Sequence, residues 1–297
     1  MALVISNLSK TYKNGVMALQ DISLTIDKGM FGLLGQNGAG KSTLMRTIAT
    51  LQDADTGSIV FNGVDVSENP EAIRKTLGYL PQEFGVYPHV SAVEFLDYIA
   101  DMKGIINKTE RKEQVEGLLD MVNLYDVRKK RLDSYSGGMK QRFGIAQALL
   151  GEPELIIVDE PTAGLDPTER NRFYNLLAEI GANKVVLFST HIVEDVSTLC
   201  NEMAIIGGGT LLLQGVPSAL EASLQGKIWE KQIDKSELTS FQKTHDVISS
   251  RYHRGHRVAT VYAEVGPSNG FTPKTPTLED VYFNVLKQKE SPVDLVI

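Results

Sequence analysis

One contiguous segment, Gly35-Gln36-Asn37-Gly38-Ala39-Gly40-Lys41-Ser42, restricts the fold of this chain more than any other feature. It follows a continuous apolar run, Met30–Leu34. It precedes Lys41–Thr50, where Leu44, Ile48 and Leu51 are spaced for one helical face. Strand, glycine-rich loop and helix in that order make a phosphate-binding unit. Glycines let successive backbone N–H groups converge on phosphate oxygens, and the helix adds its positive N-terminal end. Lys41 is suited to neutralise β- and γ-phosphate charge, and Ser42 to offer a hydroxyl to Mg2+. With Thr43 beside them, these residues are the expected nucleotide contacts.

Downstream, the apolar runs Leu155–Val158 and Val185–Phe188 read as buried strands, with a helical segment, Pro167–Ile180, between them. This alternation implies a largely parallel sheet covered on both faces. The first run ends in two acids, Asp159 and Glu160. An acid at a strand end can hold Mg2+, directly or through water, and a second can orient and deprotonate an attacking water. Between loop and acids lies Ser136-Gly137-Gly138-Met139-Lys140-Gln141-Arg142, two glycines opening a helix and so a second anion-binding terminus. Ser91–Lys130 carries helical spacing at Val93, Leu96 and Ile99, and again at Val115, Leu118, Leu119 and Val122. A helical insert is therefore expected over about 88–145. Leu3–Ile5 and Ile22–Ile26 read as strands before the core, and Met203–Ile206 with Leu211–Leu213 as a hairpin after it.

The texture changes from about Ser218. Ile228–Ile233 and Val258–Ala263 look like strands with a polar, helix-like piece between them, and Gly266–Gly270 reads as a linker. Leu278, Val281, Tyr282, Val285 and Leu286 form one helical face behind Thr277 as N-cap. The expected division is a core domain over 1–217 and a small α+β accessory domain over 218–297. Two basic stretches, Arg128–Arg131 and Arg251–Arg257, read as a solvated helix end and a solvated hairpin.

Composition sets outer bounds. With 297 residues and 42% apolar content the chain can bury a large core and an appendage. A formal net charge of -7 gives no global attraction to nucleic acid, and no nucleic-acid partner is expected. A single cysteine, Cys200, excludes a disulfide within the chain, fits a reducing compartment and reads as a small buried apolar residue. Met1–Ser6 has no basic start and no long apolar stretch, so it does not read as a secretory signal. The longest strongly apolar runs are about four residues, whereas a spanning helix needs about 20. A role at a membrane would then require docking onto something that spans it.

Together, and in this order, the three motifs resemble the ABC (ATP-binding cassette) ATPase family over about Met1 to Gly215. The resemblance implies an α/β P-loop NTPase core with N-terminal antiparallel strands and a helical insert. It implies ATP and Mg2+ as ligands, with Asp159, Ser42 and Gln82 near the metal. By the same resemblance Tyr12 matches the residue that stacks on adenine. Gln82 matches the glutamine that senses Mg2+ and the γ-phosphate. Glu160 matches the general base, and His191, with Lys41, stabilises charge on the γ-phosphate. Asp166, in Ala163-Gly164-Leu165-Asp166, matches the loop that crosses a dimer seam. The family signature falls on Tyr135–Met139, with Tyr135 where Leu is commoner and Met139 where Gln is common. Ser136, Gly137 and Gly138 are intact.

Such cassettes are expected to pair head to tail, Ser136 and Gly138 binding the γ-phosphate held by the partner's Lys41. The second cassette is an identical or sister subunit. A separate transmembrane permease subunit would dock near Phe84-Gly85-Val86-Tyr87-Pro88, which places the chain peripherally on the cytoplasmic face of the membrane. Pro276–Tyr282 resembles the C-terminal segment of ATPases of the ABC-2 exporter branch. An importer ATPase is the alternative within transport. A DNA-repair ATPase would need a long coiled coil in the insert, and a translation-type ATPase two cassettes. Neither is present in the sequence.

Overall fold

The computed structural model describes residues 2–290 apart from 83, 84, 86, 87, 163, 164 and 269. The chain divides into two compact units, Met1–Asn201 with Ile206–Leu211, and Glu202–Ile205 with Leu212–Ile297.

The first unit opens with β1 (Ala2–Thr11) and β2 (Met17–Asp27), both longer than the expected strands. After β3 (Gly29–Leu34) and α1 (Lys41–Ile48) come β4 (Thr56–Phe61), β5 (Val64–Asp65) and α2 (Pro70–Thr76). The antiparallel order is β2-β1-β4-β5, with Val4 opposite Thr25 on one side and Val60 on the other. Burial alternates along β2, with Leu19, Ile22, Leu24 and Ile26 turned inward, as a sheet covered on one face requires.

The remaining elements of this unit are β6 (Leu77–Leu80), α3 (Ala92–Met102), α4 (Lys108–Met121), α5 (Gly137–Leu149), β7 (Leu155–Asp159), α6 (Pro167–Gly181), β8 (Val185–Thr190) and α7 (Val193–Leu199). Strands β3, β8, β7 and β6 are neighbours in that order and run parallel. Every residue of β7 and β8 is buried, the pattern of strands covered on both faces. Register aligns their C-terminal ends: Leu34 faces Thr190, Asp159 faces Ser189, and Leu80 faces Val158. The four segments that leave these strands therefore emerge along one edge, where ligands of parallel α/β sheets bind. The boundary between the units runs through β9 (Glu202–Gly207) and β10 (Thr210–Gly215).

The helical insert is built as its apolar spacing predicts. Leu96, Val115, Leu119 and Phe143 are buried in one cluster with Val158 and Phe188 of the sheet. Ser91 and Glu94 form a capping box that starts α3, and Asn107 caps α4. Tyr135 is buried in this cluster, edge-on to Phe143, and its hydroxyl donates to the Val127 carbonyl. The basic stretch 128–131 ends a 3-10 turn, Tyr125–Val127, rather than an α-helix: Arg128 is its C-cap with the guanidinium 3.6 Å over the Tyr125 ring, and 129–131 are exposed.

The second unit contains α8 (Pro217–Ser223), β11 (Ile228–Ile233), α9 (Leu238–Thr244), β12 (Asp246–His253), β13 (His256–Tyr262), β14 (Thr272–Pro273) and α10 (Leu278–Glu290). Its sheet has the order β12-β13-β11-β14 over an apolar cluster of Ile233, Phe241, Val247, Ala259 and Val261. The sequence leads one to expect a single polar helix between β11 and β13. The structure adds β12, whose polar and basic residues hide the two-residue alternation. Arg251–Arg257 does form an exposed hairpin, with Arg254 and Gly255 both at positive φ in its turn. Thr277 stands at the N-cap position of α10 with Asp280 three residues on. The buried Asp280 carboxylate accepts from the Thr277 amide and also from its hydroxyl, which donates rather than accepts, and Lys274 contacts the same carboxylate at 2.6 Å.

Candidate functional site

The loop leaving β3 is shaped by two close approaches. A Cβ on Gly35 would sit 2.5 Å from the Ile206 carbonyl, and one on Gly40 2.5 Å from the Ala18 carbonyl. Gly40 also holds a φ of 108°, which side chains rarely adopt, so only glycine fits there. Gly40 is the N-cap of α1 and has no side chain to satisfy the first amides, which leaves them directed at a ligand. A cleft of about 690 Å³ lies over this loop. Its walls include Asn37, Gly38, Ala39, Gly40, Lys41, Ser42 and Thr43, with Tyr12, Val16 and Met17 at one side and Gln82 and Glu160 at the other.

Lys41 is 4% exposed and donates to the carbonyls of Gly35 at 2.7 Å and Gln36 at 3.2 Å. Its Nζ also lies 2.9 Å from Glu160 Oε1. The other oxygen, Glu160 Oε2, accepts from Gln82 Nε2 at 3.3 Å and lies 3.1 Å from His191 Nδ1. Glu160 is 6% exposed, so each of its oxygens is engaged by a group arriving from a different loop. Its backbone sits at φ 45°, a left-handed conformation that costs a non-glycine residue roughly 1–3 kcal/mol and persists only when its surroundings hold it. Part of that hold is Ser189, whose carbonyl and hydroxyl oxygens both accept from the Glu160 amide at 3.1 Å. The Ser189 hydroxyl in turn donates to Asp159 Oδ1 at 2.5 Å.

Tyr12 stands at the cleft wall, with its hydroxyl 3.2 Å from Thr43 Oγ1 and donating to Gln52 Oε1 at 3.1 Å. His191 reaches the site through Glu160. Asp159 is buried, adjacent to Glu160 in sequence but not in the cleft wall. Ser136, Gly137, Gly138 and Asp166 are not in the wall. Ser136 caps α5 by accepting from the Met139 amide, and Asp166 caps α6 by accepting from the Glu169 amide at 2.9 Å. Gly138 packs under Glu169, whose Oε2 would lie 2.7 Å from a Cβ there. Phe84, Val86 and Tyr87 of the expected docking segment, and Ala163 and Gly164 of the seam loop, lie outside the described residues.

Sequence reasoning missed Ser189 and Asp195. The signal for Ser189 is present: two hydroxyl residues, Ser189 and Thr190, close an otherwise apolar strand just before His191. Asp195 is wholly buried in the first turn of α7. Its Oδ2 accepts from Thr162 and Thr190 hydroxyls, each at 2.7 Å, and its Oδ1 from the Tyr174 hydroxyl. Burial together with the Asp195 charge holds the Tyr174 phenol well above its ordinary range.

Mg2+ is implied by this chemistry, and the donors suit it. Among the described residues no group of three or more His, Cys, Asp or Glu could cage a metal. Mg2+ needs no such cage, because it is held by one or two protein oxygens plus substrate phosphates. Ser42 in the cleft wall and the buried Asp159 are oxygen donors of that kind.

The family model described as ABC transporter matches residues 19–163. The uncharacterized ABC transporter ATP-binding protein YxlF of Bacillus subtilis is 31% identical over 300 residues, spanning 96% of this chain and 99% of its own length. The linearmycin resistance ATP-binding protein LnrL of the same organism is 34% identical over 226 residues, 75% of this chain and 72% of its own. Among solved structures, the dimeric ATP-binding cassette MJ0796 in a post-hydrolysis state with ADP and Pi aligns with a TM-score of 0.66 at 25% identity. The alignment covers 72% of this chain and 98% of that one. Among the described residues no helix is long and apolar enough to cross a membrane. The chain belongs to the family of ABC transporter ATP-binding proteins.

Proposed function

We propose that this chain is the ATP-hydrolysing motor of an exporter, working as a head-to-tail pair of cassettes beneath a separate transmembrane permease. The observation that carries the chemistry is the convergence of Lys41, Gln82 and His191 on the two carboxylate oxygens of Glu160, beside a glycine loop. The loop amides and Lys41 bind the β- and γ-phosphates, and Tyr12 receives the adenine. Phosphate competes with Glu160 for Lys41, which frees Glu160 Oε1 to accept a proton. A water oxygen then bonds to the γ-phosphorus as its proton passes to Glu160, and the bond from that phosphorus to the bridging oxygen of ADP breaks. Gln82 and His191 hold Glu160 in place, and His191 balances charge on the leaving phosphate. Bound Mg2+, held by Ser42 and Asp159, would supply neutralisation of the phosphate oxygens.

Ser136, Gly137, Gly138 and Asp166 lie outside the wall of their own cleft, which is compatible with use in a partner's cleft, and we read them so by the family resemblance. Export is favoured over import by the tail segment Pro276–Tyr282 and by the resistance role in the name of LnrL. We read 218–297 as an accessory domain and the chain as peripheral on the cytoplasmic face. The test is a mild-detergent pull-down of the tagged chain from its native cells. One stoichiometric, multi-spanning partner is expected. Recovery of soluble partners or nucleic acid alone would overturn the transport reading.

A further inference from the structure

Asp195 is a carboxylate with no exposed surface, and its side-chain hydrogen-bond partners among the described residues are three hydroxyls. Burying a charge is costly even with hydroxyl donors and the N-terminal turn of α7 to offset it, and an apolar residue would pack without that cost. The places of the three donors give it a use. Thr162 is two residues after Glu160, in the turn that follows β7. Thr190 is the residue before His191, and its hydroxyl, while donating to Asp195, accepts from the Ile192 amide at 2.9 Å on the far side of His191. Tyr174 comes from α6, the helix capped by Asp166. One oxygen, Asp195 Oδ2, thus ties the segment carrying the base to the segment carrying the histidine.

We propose that Asp195 is a positioning residue for hydrolysis, which holds Thr162 and Thr190 in one register and so sets the contact between Glu160 and His191. Glu160 stands at φ 45° directly before Pro161, which disfavours helical conformations in the preceding residue. Ser189 holds it from the strand side, and the Asp195–Thr162 bond holds the turn on the other. Thr162, Thr190 and Asp195 lie outside the cleft wall, so their loss should spare nucleotide binding and disturb the chemical step.

The inference rests on the roles given above to Glu160 and His191, and the experiment separates the two. Single-turnover hydrolysis, ATP affinity and thermal midpoint are measured on the full chain carrying Asp195→Asn, Thr162→Val, His191→Ala, and His191→Ala with Asp195→Asn. Asp195→Asn is expected to slow hydrolysis by about 10- to 100-fold with ATP affinity unchanged, as for a misplacement near 1 Å. Thr162→Val, which keeps the side-chain shape, should show the same split in smaller degree. Added to His191→Ala, Asp195→Asn should cost far less than it does alone, because the contact it sets is already gone. Equal penalties in both backgrounds, or a parallel fall in affinity and rate, would overturn the positioning role and leave Asp195 a structural group. If Asp195→Asn does not fold, normal hydrolysis by Thr162→Val overturns it alone. Unimpaired hydrolysis by His191→Ala would instead refute the role of His191 itself.

Discussion

Lys41 Nζ and Glu160 Oε1 are 2.9 Å apart, and both side chains are almost fully enclosed. The residue proposed to bind phosphate and the residue proposed to activate water therefore form an ion pair with each other. On the proposed mechanism, a phosphate that enters competes with Glu160 for Lys41, which couples nucleotide binding to release of the base.

This pairing separates two substitutions. Glu160→Gln keeps the shape and a hydrogen-bonding oxygen but cannot accept the proton. Turnover should fall by at least about 100-fold, the scale of lost general-base catalysis, while ATP binding and ATP-dependent dimerisation persist. Lys41→Ala should weaken ATP binding itself. Phosphate release and fluorescent-nucleotide titration on the two variants check the split, and near wild-type turnover of Glu160→Gln would remove it from its role.

How much of this was legible beforehand depends on how far each signal extends along the chain. The nucleotide loop is contiguous, so the part of the cleft wall formed by residues 37–43 could be named from spacing alone. Gln82, Glu160 and His191 sit on three different strand ends, and their convergence was available only through family resemblance. Asp195 was not legible at all. An acid in the first turn of a short helix is ordinarily solvated, and nothing local says that Thr162 and Thr190 will enclose it. Likewise β12 was hidden because Arg251, His253 and their neighbours occupy an exposed hairpin, where no buried face enforces apolar alternation.

Two glycines predict opposite effects on stability. A Cβ on Gly78 in β6 would stand 2.1 Å from the Ala148 carbonyl of α5, and backbone cannot yield as a side-chain tip can. Gly78→Ala should destabilise the chain by about 3 kcal/mol or more. Gly117 lies inside α4 with nothing within 4 Å of its would-be Cβ. Gly117→Ala should stabilise by up to about 1 kcal/mol through helix propensity. Denaturant midpoints of the two variants would show the opposite signs, and a stable Gly78→Ala protein would contradict the packing of β6 against α5.

Cys200 offers a pH-dependent readout. Its sulfur lies against β3, 2.9 Å from where a Cβ on Gly32 would be, and burial pushes the thiol up to about 12. The thiolate is the reactive form, and raising the pKa keeps the group protonated at pH 8. Alkylation of the folded chain at pH 8 should therefore be slow, and it should become fast on unfolding in denaturant. Rapid labelling of the folded protein would show that β3 and α7 do not enclose the sulfur as described.

The use of Ser136, Gly137 and Gly138 by a partner's cleft can be tested by complementation. Gly137 is exposed with no atom of the described residues within 4 Å of a would-be Cβ, so Gly137→Asp is expected to keep the fold while placing a negative charge where phosphate should bind. Gly137→Asp alone and Glu160→Gln alone should each be inactive, because every site in either homodimer carries a defect. In a mixed pair, one site joins the intact Glu160 of one chain to the intact glycines of the other. Mixing the two inactive proteins should therefore restore hydrolysis, up to about one quarter of wild type per chain if pairing is statistical and the sites turn over independently. If each cleft used its own Ser136–Gly138 segment, the mixture would contain only defective sites. Absence of any recovery, with mixed dimers verified by differential tags, would place the signature in the same chain's site and end the head-to-tail reading.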